Sequence, residues 1–276
     1  MGMVEPRLAR GTSHGVTLLE DAQRPGGVTF AFTERTGGVS GGCYASLNLG
    51  DNCGDDPACI AENRRRALAA IGALADEASL VCPRQVHGDR VIVVGDGGLT
   101  VAQAQVEARK GADAIVCLDA GVPVLLCFAD CVPIVLAAPG AFAVVHSGWK
   151  GTMARIAACA LDALAASCGC DLQDVCAYVG PCVSGADYEV SCDMAKGFVA
   201  EFGDSVLAGP RKVDLGTAVL QTLCEAGMEA KAIARAGIST ASCTDRFFSY
   251  RASGGACGRH GALAYLPREH KRNEMG

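Results

Sequence analysis

Short apolar runs rich in Val, Leu and Ala, punctuated by Gly and Pro, dominate the pattern of hydrophobic and polar positions. Runs of this length, bounded by turn residues, predict strands. They fall at residues 28–33 (VTFAFT), 79–86, 90–94, 112–117, 122–128, 134–138, 141–146, 175–179 and 261–266. Residues 122–145 form an apolar stretch long enough to cross a membrane, with Asp130 as its single charge. Pro123, Pro133 and Pro139 divide it into buried strands instead. Helical spacing predicts helices at residues 57–73, 152–167, 194–202 and 215–226. The first opens on Asp55-Asp56-Pro57, and Thr152 is the expected N-cap of the second. Arg64, Arg65 and Arg66 give a solvated face from which one arginine turns inward. Residues 95–110 read as a turn and a polar, Ala-rich stretch, and residues 1–27 as a loosely structured start. Hairpins mix with helices without strict alternation, so the expectation is α+β with a mixed sheet, in a single domain over residues 28–276.

Composition narrows the function classes. A chain of 276 residues with half of them hydrophobic is globular. A net charge of −6 argues against a nucleic-acid partner. The opening MGMVEPRLAR lacks the apolar region of a secretory signal, so a cytoplasmic protein is expected. The 16 cysteines are irregularly spaced and read mostly as small buried hydrophobes in a reducing compartment. No membrane partner is expected, and the sequence assigns no oligomeric state.

The chain has only five histidines. His14 and His270 lie near the ends and are expected in solvent, and His260 sits in the segment GRHG. His87 falls in a turn between predicted strands. His146 ends a strand and opens the Gly-rich turn HSGWKG. If Pro139-Gly140 is a two-residue hairpin turn, Pro133 faces His146, and Cys131, two residues earlier, points to the same face. Cys131 and His146 then meet, and His87 is the remaining well-placed imidazole. Three readings stand: an open zinc site with water in the fourth position, a trigonal copper site, or a core cysteine beside satisfied turn histidines. Gly148, Lys150 and Thr152 open a helix whose start favours an anion such as phosphate.

Further motifs occur in order along the chain: Arg35-Thr36-Gly37-Gly38-Val39-Ser40, Ser46-Leu47-Asn48-Leu49-Gly50, Arg84-Gln85-Val86-His87-Gly88 and Ala112-Asp113-Ala114. They continue with Ala129-Asp130-Cys131-Val132-Pro133, His146-Ser147-Gly148-Trp149-Lys150-Gly151 and Phe247-Phe248-Ser249-Tyr250-Arg251. Together they resemble the laccase-domain family, also called multicopper polyphenol oxidase or peptidoglycan editing factor proteins. The resemblance implies a layered α+β sandwich with flanking helices and a zinc site on His87, Cys131 and His146. It implies phosphorolysis of adenosine, inosine and methylthioadenosine, deamination of adenosine, and therefore nucleoside and phosphate as small-molecule partners. Under that reading Lys150 and Arg35 position phosphate, Asn48 binds the nucleoside, and Asp130 orients a ligand or carries a proton.

Three rivals follow from the same residues. A Cys131–His146 dyad would serve a metal-free hydrolase, such as one editing a peptidoglycan precursor. A copper-dependent polyphenol oxidase is disfavoured, because multicopper centres need more imidazoles than five. A zinc-stabilised interaction module would need a fourth protein ligand.

Overall fold

The computed structural model describes residues 5–268. One sheet runs in the order β1 (Ala9–Ser13), β2 (Val16–Glu20), β3 (Thr29–Thr33), β13 (His260–Tyr265) and β6 (Val124–Phe128). The other runs β12 (Ile233–Arg235), β9 (Cys176–Val179), β7 (Val132–Ala138), β8 (Ala141–Ser147), β5 (Ala114–Cys117) and β4 (Val91–Val94). β12–β9 and β4–β5 are parallel pairs and the remaining pairs of that sheet antiparallel. A short ribbon joins β10 (Leu207–Gly209) to β11 (Lys212–Val213). The helices are α1 (Pro57–Ala70), α2 (Val101–Lys110), α3 (Trp149–Met153), α4 (Ile156–Cys168), α5 (Cys192–Phe202), α6 (Leu215–Glu225) and α7 (Tyr250–Ser253).

The two sheets stack face to face with helices outside. Side chains alternate along a strand, so a strand between two covered faces is apolar at every position. On β7, Ile134 and Leu136 pack toward α4 and α6, while Val135 and Ala137 pack between the sheets. On β6, Leu126 and Phe128 fill the intersheet layer, while Leu125 and Cys127 face α1. This is the expected α+β sandwich with flanking helices, and it explains why the run at residues 122–145 carries so little charge. Among the described residues no helix is long and apolar enough to cross a membrane.

Several sequence expectations need correction. Residues 9–20 are not loose: β1 and β2 form a hairpin around His14-Gly15, both at positive φ. Val16 and Leu18 are fully buried against α1, and Arg10 pairs with the buried Glu34 at 2.7 Å. Residues 79–86 make only one bridge, Val81 to Val124: Pro83 has no N–H, the Arg84 N–H donates to the Ala108 carbonyl and the Val86 N–H to Asp113. The polar stretch after Gly95 contains α2, started by a Thr100–Gln103 capping box. The helix expected at 152–167 is two helices, broken at Arg155, where φ is 55°. Of the arginine run, Arg64 is the one that turns inward, its Nε donating to the Leu49 carbonyl at 2.9 Å.

The cysteines also differ from expectation. Cys117, Cys176, Cys182 and Cys257 are buried, but Cys43, Cys159, Cys192 and Cys224 are exposed, and Cys168 is bonded to Cys170. His14 is exposed as expected, and His270 lies outside the described residues.

Candidate metal centre

The β7–β8 hairpin sets the site. Ala138 pairs with Ala141 and Pro133 with His146, the register expected from a two-residue turn at Pro139-Gly140. Cys131 precedes β7 and packs at the edge of the intersheet layer. His87 arrives from the loop before β4, in the left-handed region at φ 59°. The ligand atoms of His87, Cys131 and His146 all lie within 4.8 Å of one another. The two imidazole rings meet edge to face at 4.8 Å, and Phe128 packs on His146 at 5.3 Å. Gly148 lies against the group: a Cβ there would sit 2.8 Å from His87 Cδ2 and 3.1 Å from Cys131 Sγ.

Asp113 organises two of the three residues of this group. Its Oδ1 lies 2.8 Å from His146 Nδ1 and accepts the His87 N–H at 2.9 Å. Its Oδ2 accepts the Gly88 N–H at 2.8 Å. Burial pushes this carboxyl up, but His146 and the backbone donors outweigh it and hold it below the usual carboxylate range. His146 is therefore held by Nδ1 and presents Nε2 to the other ligands. Burial likewise pushes the Cys131 thiol up, yet the charge of His146 and hydrogen bonds from both histidines bring it down to about 6. Burial pushes His146 down, and Cys131 and Asp113 together raise it to about 9. One thiolate and two imidazoles form a donor set that suits zinc or copper. Ligand atoms around a tetrahedral zinc lie roughly 3.3–3.7 Å apart, so shifts of about an ångström would complete the fit.

The three residues border a cavity of about 530 Å³, a size that accepts a small ligand. Asp130 is on the same wall at φ 92°, its Oδ1 accepting from Thr240 at 2.7 Å and Oδ2 from the Arg251 N–H at 2.6 Å. The structure does not bring every expected residue here. Arg35 is spent on the Ala45 and Thr244 carbonyls, at 2.7 and 2.8 Å, and stacks on Phe248. Asn48 is fully buried: its Nδ2 donates to Asp55 at 2.9 Å and its Oδ1 accepts the Arg259 N–H at 2.8 Å. Lys150 is exposed, its Nζ 5.5 Å from the Trp149 ring. Thr152 caps nothing: α3 starts after Gly148, and the Thr152 hydroxyl bonds to the Gly148 carbonyl at 2.9 Å. His260 is buried between Phe128 and Phe247, away from the ligands.

Sequence reasoning passed over Asp113 as a positioning group and the cavity residues Trp149, Tyr188, Tyr250, Arg251 and Arg259. Asp113 had a signal: it directly precedes β5, whose Ala114 pairs with Val145, which places it beside His146.

Fold and site together define an α+β sandwich with a His–Cys–His group that could hold a metal ion, open to a cavity. The family model described as multi-copper polyphenol oxidoreductase laccase matches residues 29–267, and the chain belongs to that family. A purine nucleoside phosphorylase of Deinococcus radiodurans is 37% identical over 245 residues, covering 87% of this chain and 90% of that one. A purine nucleoside phosphorylase of Corynebacterium glutamicum is 33% identical, over 91% of this chain and 98% of that one. Among solved structures, YlmD of Geobacillus stearothermophilus superposes with a TM-score of 0.82 at 27% identity, covering 94% of this chain and 98% of that one. YfiH of Bacillus licheniformis gives 0.80 at 27% identity, over 90% and 96%.

Proposed function

We propose that this chain is a zinc-dependent purine nucleoside phosphorylase acting on adenosine, inosine and methylthioadenosine, with adenosine deamination at the same site. The observation that carries the reading is the convergence of His87, Cys131 and His146 within 4.8 Å on the wall of a nucleoside-sized cavity. The names of the relatives support the phosphorylase reaction. A zinc ion held there supplies Lewis acidity and lowers the pKa of water to roughly 7.

The chain's own residues do the rest. Asp113 fixes the tautomer and aim of His146. Arg251 and Arg259 supply positive charge to the cavity wall for phosphate, each braced over an aromatic ring, Tyr188 at 4.9 Å and Tyr250 at 5.8 Å. Asn48 serves by anchoring the Arg259 backbone. Trp149, 38% exposed on the cavity wall, offers a ring face to the purine. Asp130, held by Thr240 and Arg251, is the proton carrier for the departing base.

A second reading draws on the alignment of Cys131, His146 and Asp113 as nucleophile, base and orienting group of a metal-free hydrolase. It leaves His87 without a role. Metal analysis of the untagged protein beside Cys131→Ala separates the two. About one zinc per chain, absent in the variant, together with phosphate-dependent release of purine base, supports the phosphorylase. No bound metal and inactivation by alkylation of Cys131 would move the assignment to the hydrolase, and bound copper to a polyphenol oxidase.

A further inference from the structure

The α1-facing side of β6 carries chemistry that the metal centre does not use. Residues 81–85 run beside this strand. Val81 bridges Val124, and the Leu125 N–H donates to the Val81 carbonyl at 3.0 Å. Gln85 clamps Cys127, its Oε1 accepting the Cys127 N–H at 2.8 Å and its Nε2 donating to the Cys127 carbonyl at 2.7 Å. The result places Cys82 and Cys127 in one side-chain cluster. Both also line a second cavity of about 410 Å³, which shares Asn52, Gln85 and Cys127 with the first.

The two thiols share that cluster and that cavity, on a strand whose Val124 pairs with Val81 beside Cys82. The neighbouring Cys127 and the Arg64 charge outweigh burial and bring Cys82 down to about 7, while Cys82 and burial push Cys127 up. Cys117 and Cys182 show the contrast: burial pushes each up to about 12, which leaves an inert thiol.

We propose that Cys82 and Cys127 are an oxidisable dithiol, a modification site separate from the metal centre, whose substrate is a small hydroperoxide entering through the second cavity. The Cys82 thiolate attacks one peroxide oxygen and the O–O bond breaks. The leaving oxygen takes a proton and departs as water or alcohol, and Cys82 becomes a sulfenic acid. The Cys127 sulfur then displaces that hydroxyl, which leaves as water with the Cys127 proton, and the S–S bond forms. The thiols together lose two electrons and the hydroperoxide gains two. Because Gln85 holds Cys127 and lies two residues before His87 in the chain, the new bond bears on the wall of the first cavity.

The test is a titration of the metal-loaded full chain with hydrogen peroxide, followed by alkylation and a non-reducing peptide map with fragmentation. The expected result is a Cys82–Cys127 link, with two thiols lost per chain, before exposed Cys43, Cys159, Cys192 and Cys224 are consumed. Dithiothreitol restores both thiols. In Cys82→Ser the link is absent and Cys127 stays open to alkylation. Full alkylation of Cys82 and Cys127 after the exposed thiols are spent would overturn the proposal, as would a link from Cys82 to Cys117 or Cys131. The readout is mass, so it stands whatever reaction the metal centre catalyses.

Discussion

Asp113 Oδ1 lies 2.8 Å from His146 Nδ1, and the same carboxylate accepts the backbone N–H groups of His87 and Gly88. One side chain thus aims two of the three candidate ligands. In Asp113→Asn an amide N–H must face donors. Zinc affinity should fall roughly 10- to 100-fold, and stability by about 1–3 kcal/mol. Chelator competition and urea unfolding measure these two effects separately. Unchanged affinity would show that the ligands hold their own geometry.

Gly148 offers a steric test. Its φ of −80° and ψ of 177° suit any residue, so alanine costs no backbone strain. The added Cβ would lie 2.8 Å from His87 Cδ2 and 3.1 Å from Cys131 Sγ. A ligand displaced by about an ångström should lower turnover by about a hundredfold. Thermal unfolding of the metal-free protein should change little. Full activity in Gly148→Ala would mean that the ligands have room to move apart.

His260 predicts an acid sensitivity. Burial, with Arg259 and Arg35 nearby, depresses it to about 3, and among the described residues neither ring nitrogen has a hydrogen-bond partner. The folded chain keeps it neutral, while the unfolded chain takes up a proton below about pH 6.5. Its contribution is therefore present above that pH. It is lost as pH falls toward 3, at about 1.4 kcal/mol per pH unit. Urea unfolding of the wild type and His260→Leu at pH 7 and pH 5 should show a shallower loss in the variant. Parallel losses would assign the acid sensitivity to other groups.

Trp149 is the only tryptophan in the chain, and it lines the cavity. Its fluorescence should change saturably with adenosine or inosine and not with ribose alone. Replacement by alanine should weaken nucleoside binding by about 1–3 kcal/mol, the range of base–aromatic stacking. A silent tryptophan would place the base elsewhere in the cavity.

Much of this architecture was legible because its signals are local. The Val-rich runs around Pro139-Gly140 specify a hairpin whose register follows from turn length, and that register places Cys131 and His146 together. The β1–β2 hairpin escaped notice because a five-residue strand such as Val16–Glu20 carries too little alternation to stand out. Asp113 escaped because much of its role is to accept backbone N–H groups more than twenty residues away, which leave no residue-type pattern. Arg35 and Asn48 illustrate the opposite ambiguity. A polar side chain in a Gly-rich loop looks the same whether it binds a ligand or the protein's own backbone, and here Arg35 binds the Ala45 and Thr244 carbonyls and Asn48 the Gly50 carbonyl and the Arg259 N–H. Arg251 and Arg259 come from distant segments that only the tertiary fold brings to the cavity.

The pairing of β7 with β8 has a consequence for how this centre drifts over generations. Five residue pairs separate the turn from the Pro133–His146 pair, a distance of roughly 20 Å. Substitution at Pro139 leaves the count of residues intact, whereas Gly140, at φ 69°, is held to glycine by its backbone. Inserting or deleting a single residue is different, because it would turn His146 to the opposite face and dismantle the centre from its far end. Mutational scanning would see a turn permissive at Pro139, restricted at Gly140 and intolerant in length, and descendants of this chain should vary there in spelling at the first position but not in number.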